Sequence, residues 1–241
     1  ENARKIESYL RNGYDIENVK HILMNSMVLP SGSFAESAFE TFVEEYDNIF
    51  NYRKNVLSSM ESKQMDILFD KDSPVINGNT RMYSDGKNFY SVFFVYTGTS
   101  QFYETKAKVF HVMLSAIYDN VKTIIVGKDN NNEIGNMGKP EAEKIIKELS
   151  KVYIDYLSNP FDIDIKCAMN AWTSDFDKFE FDYLTKINKK SGDDFKISEI
   201  NYEDYSDLAE YHLMPDIERI YKFVSPLCSV SITKEKTGKQ K

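Results

Sequence analysis

Between Phe161 and Leu184 apolar and polar residues alternate one by one. Phe161, Ile163, Ile165, Cys167 and Met169 interleave with Asp162, Asp164, Lys166, Ala168 and Asn170. After Trp172 the pattern resumes as Phe179, Phe181 and Tyr183 against Lys178, Glu180 and Asp182. Side chains on a strand repeat every two residues, so this spacing predicts a sheet with one dry and one wet face. The segment from Ala171 to Asp175 is too short for a parallel crossover, so the two arms read as an antiparallel hairpin.

Helical periods dominate the N-terminal quarter. A short element is expected at Ala3 to Leu10, stopped by Asn12 and Gly13, and a second helix from Asp15 carries Ile16, Val19, Ile22, Leu23 and Met27 on one stripe before Pro30. Ser33 with Glu36 three residues later forms a capping-box signature. One long helix is expected from there, with Phe34, Ala38, Phe39, Phe42, Val43, Tyr46, Ile49, Phe50, Val56, Leu57 and Met60 on its dry side.

Past Ser73 the breakers Pro74, Gly78 and Asn79 and the turn dipeptide Asp85-Gly86 lead into a strand at Phe89 to Tyr96. Phe102 to Leu114 reads as a long strand, with a helix over Val109 to Tyr118 equally compatible, and Val121 to Val126 reads as a strand. Lys128 to Lys139, rich in Asn and Gly, reads as a linker. A helix from Pro140 to Leu157 is expected to bury Ile145, Ile146, Leu149, Val152, Tyr153 and Tyr156. After the hairpin come a third strand at Phe195 to Tyr202, a helix over Asp204 to Val224 broken near Pro215, and an edge strand at Leu227 to Ile232.

The fold class is therefore α+β: N-terminal helices, one of them long and amphipathic, with antiparallel β-meanders packed against helices. Two lobes are expected, residues 1–127 and 140–241, joined by the linker 128–139, with a single curved sheet as the alternative. The aromatic strand Phe89, Tyr90, Phe93, Phe94 and Tyr96 presents rings to both faces and so must be covered on both, by helices, by the other lobe or by another subunit.

With 241 residues, 41% hydrophobic and 14% aromatic, the chain builds a core without metal or disulfide staples. Its net charge of −8 works against a phosphate backbone, so no nucleic-acid partner is expected. The basic run Lys234, Lys236, Lys239 and Lys241 reads as a flexible tail. No apolar run is long enough for a membrane span. Cys167 and Cys228 belong to no metal or redox spacing and read as packed apolar residues.

Constellations with chemical meaning are sparse. Asp164-Ile165-Lys166 has the acid-x-Lys form of metal-dependent nucleases, where the carboxylate binds metal and the ammonium polarises water, and Asp162 points to the same side. The triplet also occurs at Glu61/Lys63, Asp85/Lys87, Glu104/Lys106 and Asp194/Lys196, and chance alone supplies roughly four in so charged a chain. His21 with Glu17 and His212 with Asp216 are one-turn pairs that suit a surface hydrogen bond as well as a chelate, while His111 reads as a hydrogen-bonded core or edge residue. Gly135 to Lys139 echoes a phosphate loop but has Glu133 and Pro140 where glycine and a hydroxyl residue are needed. Tyr202 and Tyr205 within the acidic stretch Glu199 to Glu210, and Tyr211 just after it, read as a sheet margin, with a partner surface as the alternative.

No residue is assigned a catalytic, cofactor-binding or metal role. The expectation is a non-catalytic protein-protein interaction or assembly component, from a virus or mobile element, with a protein partner or a second copy of itself. The alternatives are a metal-dependent hydrolase or nuclease centred on Asp162, Asp164 and Lys166, and a module binding a small apolar ligand between sheet and helix.

Overall fold

The structure, a computed structural model, describes Lys5, Tyr9 and residues 14–26, 33–69, 76–96, 100–161, 163–191 and 216–236. Among the described residues the strands form one mixed sheet of six, hydrogen-bonded in chain order. They are β1 (Glu61–Phe69), β2 (Ile76–Ser84), β3 (Phe89–Phe94), β4 (Val121–Val126), β5 (Asn130–Ile134) and β6 (Thr233–Lys236). Neighbouring strands run antiparallel except β3 and β4, which are parallel from Phe89↔Val121 to Phe94↔Val126.

A parallel pair needs a crossover, and helix α4 (Ser100–Ser115) supplies it. The strand expected at Phe102 to Leu114 is thus helical. Ala107, His111, Val112, Leu114 and Ser115 are its buried residues, a spacing that closes every three to four positions rather than every two.

Three helices cover the opposite face of the sheet: α1 (Ile16–Asn25), α2 (Ser33–Glu45) and α3 (Asp47–Asn51). Asp15 caps α1 by accepting from the Asn18 backbone N–H at 2.8 Å. The helix expected to run unbroken from Ser33 to Met60 instead divides at Tyr46, then widens through a π turn at Tyr52–Val56 and tightens into a 3₁₀ turn at Leu57–Ser59. The break lets Phe42, Tyr46, Phe50 and Tyr96 meet ring to ring, with Phe42 and Tyr46 centroids 4.6 Å apart. Asn48 then donates to the Gly127 carbonyl at 2.7 Å and Lys128 pairs with Glu45 at 2.6 Å, so this layer clamps the β4–β5 turn.

Strand parity sorts the core. Tyr90, Val92, Phe94, Tyr96, Ile124 and Val126 pack with Val19, Leu23, Phe39 and Ile49, while Phe93, Val95 and Ile125 pack against α4 and α5 (Lys139–Ser158). The two-sided aromatic strand is covered on both faces by helices of its own chain.

The expected linker 128–139 holds β5 and the first residue of α5, so only 135–138 are irregular between them. The expected hairpin is helical: α6 (Ile165–Ala171) and α7 (Phe176–Ser191) pack with α8 (Ile217–Cys228). The reason is local. Asp164 accepts from the Cys167 N–H at 2.9 Å and Asp175 from the Lys178 N–H at 3.1 Å, so each acid starts a helix instead of lining a wet sheet face. Phe179 and Tyr183, four apart, are fully buried and stacked with centroids 5.8 Å apart, whereas Phe181 between them is 71% exposed.

Two C-terminal expectations also change. Leu227 and Cys228 end α8, and the edge strand lies beyond them at Thr233–Lys236, pairing with β5. Lys234 and Lys236 therefore sit in a strand rather than a tail. Asp216 caps α8, just past the expected break at Pro215, and the expected strand at Phe195 to Tyr202 lies outside the described residues, as does the element at Ala3 to Leu10 apart from Lys5 and Tyr9.

Arg219 on α8 fixes how the C-terminal helices meet α5. Its guanidinium pairs with Asp155 at 2.8 Å, donates to the Asp155 and Asn159 carbonyls at the end of α5, and lies 4.3 Å over the Phe161 ring. A cation on the last carbonyls of a helix satisfies orphan acceptors and complements the dipole.

Helices rather than strands over 165–191 make a direct prediction. Phe179→Ala should cost about 3–5 kcal/mol in denaturant unfolding and Phe181→Ala less than about 0.5 kcal/mol. A hairpin would place both rings on one face and give comparable losses.

Candidate functional site

Helix α4 turns a polar stripe inward: Glu104, Lys108, His111 and Ser115 follow one another at three or four residues and so share one side. His111 is fully buried. Its Nδ1 lies 3.1 Å from Thr123 Oγ1 on β4 and its Nε2 3.4 Å from Ser115 Oγ. Burial pushes the imidazole down to about 4, against a smaller opposite pull from a hydrogen bond with the Gly135 backbone. A neutral ring held from α4, β4 and the β5–α5 connection fastens three elements, and its burial keeps it from touching a substrate in this conformation.

Toward the other end of the stripe, Asn132 on β5 donates to Glu104 Oε1 at 3.3 Å, and its own Oδ1 is buried without a hydrogen-bond partner among the described residues. Lys108 donates to the Leu227 carbonyl at 3.1 Å, near the C-terminus of α8. Burial lowers the Lys108 pKa, with Cys228 and Glu104 pulling it back up. Burial likewise pushes the Cys228 thiol up to about 11, with Lys108 acting in the opposite sense. A thiol raised that far is protonated at neutral pH and a poor nucleophile. Its Sγ sits 3.7 Å from Met169 Sδ, a packing contact, and Cys167 is buried and outside any disulfide.

The second feature lies on the surface of α5. The stripe that buries Ala142, Ile145 and Ile146 runs on past the sheet, and there Tyr153 is 55% exposed, Ile154 40% and Leu157 59%. Tyr153 was expected inside. It stands outside because the twenty-residue helix outruns the core beneath it, and α8 covers only the neighbouring flank, through Tyr156, Phe161 and Phe223. Nothing in the periodicity marks that transition, since the same stripe is dry at one end and wet at the other. Phe34, Leu68, Phe102 and Phe181 are also exposed, but each on a different element.

The residues singled out by pattern do not converge. Asp164 caps α6 and Lys166 is exposed on that helix, so the acid-x-Lys triplet is not on a strand; Asp162 lies outside the described residues. Glu61 and Lys63 are exposed on β1, and Glu104 and Lys106 lie on α4. Asp85 holds the β2–β3 turn by accepting from the Lys87 and Asn88 backbone and from Tyr90 Oη at 2.7 Å, bonds that hold its carboxyl far below the usual range. Gly86, at φ +83°, takes the left-handed position of that turn. His21 is exposed on α1, and Asp216 is a helix cap whose expected partner His212, like Asp194, Lys196 and the tyrosines at 202, 205 and 211, lies outside the described residues. Gly138 precedes α5 and Pro140 sits in its first turn. Among the described residues no three His, Cys, Asp or Glu side chains group as metal ligands, and no helix is long and apolar enough to cross a membrane.

No protein-family model matches this chain, and no curated protein matches it.

The buried imidazole carries a pH prediction. Unfolded histidine titrates near 6.5 and His111 near 4, so between those values the unfolded chain binds more protons. The stabilisation is complete above about pH 6.5 and should be lost as pH falls to 4, amounting to about 3 kcal/mol over the window. Denaturant unfolding across that range should show the slope in the native chain, and His111→Gln should flatten it; an unchanged slope contradicts the assignment.

Proposed function

We propose that the protein is a non-catalytic interaction or assembly component that docks another protein on the exposed end of α5. The observation behind this reading is the contiguous set Tyr153, Ile154 and Leu157, at i, i+1 and i+4 on one rigid helix. Apolar side chains scattered singly over a surface are ordinary, whereas adjacent ones whose rim is polar mark contact sites. Tyrosine and leucine on a fixed helix also bring contact area at little ordering cost, because the backbone beneath them is already held. Arg219, by clamping the end of α5 to α8, keeps that surface in place.

A hydrolase built on strand carboxylates has no such support, since its triplet falls at a helix cap.

The test is a substitution that charges the patch without touching the core. Leu157→Asp should leave the far-ultraviolet circular dichroism and the unfolding midpoint within about 0.5 kcal/mol of the parent, as expected for an exposed position. It should abolish a complex that the parent forms, read as mass above 28.0 kDa by light scattering or as a defined partner co-purified from the native source. If every complex formed by the parent survives in Leu157→Asp, or the parent forms none, the reading fails.

A further inference from the structure

We infer that Lys108 and Asn132 become joined by an isopeptide bond, amine to side-chain amide, formed by the chain itself with Glu104 moving the proton. The residues that meet between α4 and β5 are the set such a reaction needs: an amine, a carboxamide and a proton carrier in contact with it. Asn132 is 3% exposed, its Nδ2 donates to Glu104 Oε1 at 3.3 Å, and its Oδ1 is buried with no donor among the described residues. A buried amide oxygen without a donor costs free energy. Lys108, on the same stripe of α4 as Glu104, carries an amine that can relieve it.

Two ties bracket Lys108. Glu104 meets Asn132 and His111 meets the Gly135 backbone, so α4 and β5 run side by side in the same direction and Lys108 falls between those contacts. It stands one turn beyond Glu104 on the same side, and a helical side chain leans toward the helix N-terminus, here toward Glu104 and Asn132. The amine donates to the Leu227 carbonyl at 3.1 Å, and a flexible four-carbon stem lets it exchange that acceptor for Asn132 Oδ1. Ile125, directly across from Asn132 on β4, and Ile134, two residues on along the same face, are both buried, so the amide lies in apolar surroundings. Burial there favours the neutral amine over the ammonium at Lys108, and the neutral amine is the form that attacks.

The step balances without a co-reactant. Lys108 Nζ attacks Asn132 Cγ with its lone pair, and a new C–N bond forms. One amine proton passes through Glu104 Oε1 to Nδ2. The Cγ–Nδ2 bond then breaks, its electron pair leaving with the nitrogen as ammonia. A neutral secondary amide remains and ties α4 to β5.

The test is mass spectrometry of the full chain under denaturing conditions, freshly purified and again after prolonged incubation at neutral pH. The parent should be lighter than its sequence mass by one ammonia, about 17 Da. Trypsin should then release a branched species, the peptide carrying Lys108 joined to the one carrying Asn132, with no cleavage after Lys108. Lys108→Arg and Glu104→Gln should each keep the full mass while circular dichroism reports the parent's fold. A parent of full mass at both times overturns the proposal, whatever the variants do. So does an ammonia loss confined to a linear peptide, as a succinimide at an asparagine would give, or one that persists in Lys108→Arg. A branched species in Glu104→Gln overturns the role assigned to Glu104.

Discussion

Strand β4 has almost no contact with water. Val121, Thr123, Ile124, Ile125 and Val126 are all buried, so both faces of the strand have to be roofed by the same chain. Burial of such a run supplies a large part of the folding free energy of a small domain, at about 25 cal/mol for each Å² of apolar surface removed from water. Every other placement follows from that demand. The N-terminal helices close one face, α4 and α5 close the other, and β3 and β5 protect the two edges with main-chain hydrogen bonds. Thr123 is the one hydroxyl in the run, and His111 is the group that satisfies it.

Much of this was legible in the residues, and the errors have identifiable causes. Val121 to Val126 is β-branched at every position but Lys122 and appears as a strand at those bounds, and Pro140 with its following acids begins a helix as expected. The stretch 161–184 misled because alternation and helical spacing coexist in it. Phe179 and Tyr183 are two steps of a period of two and also one helical turn, and Ala168 and Ala171 favour the second option by letting helices approach closely. The aspartates at 164 and 175 held the deciding information, since acid three residues before a backbone N–H is a start signal. Strand β1 gave no comparable signal: Glu61 to Gln64 are exposed, and among its described side chains only Ile67 is buried, so its conformation comes from pairing with β2 along nine residues.

The two features of the candidate site differ in the same respect. The polar stripe of α4 could be suspected from His111 in an apolar run, yet its partners come from β4, β5 and α8, far away in sequence. The exposed end of α5 could not be seen at all, because exposure depends on where the sheet stops beneath the helix. Charge then separates the two physically. Inside, burial holds His111 neutral and lowers the Lys108 pKa, so the stripe strengthens cohesion; outside, Tyr153, Ile154 and Leu157 stand in water on a helix that is otherwise packed.

Strand β6 lies beside β5 although about a hundred residues of chain intervene between them, whereas β1 to β5 pair with near neighbours or across a single helix. Closing so long a loop is entropically expensive, and no main-chain ladder holds it until the rest of the sheet exists to receive it. The five earlier strands can thus assemble first and carry, for a time, an open border at β5 whose asparagines Asn130, Asn131 and Asn132 have polar side chains in place of a sticky apolar row. That rim has no apolar row to offer, but its main-chain donors and acceptors stay open until β6 arrives, so the last strand to pair is also the one that closes the sheet on that side.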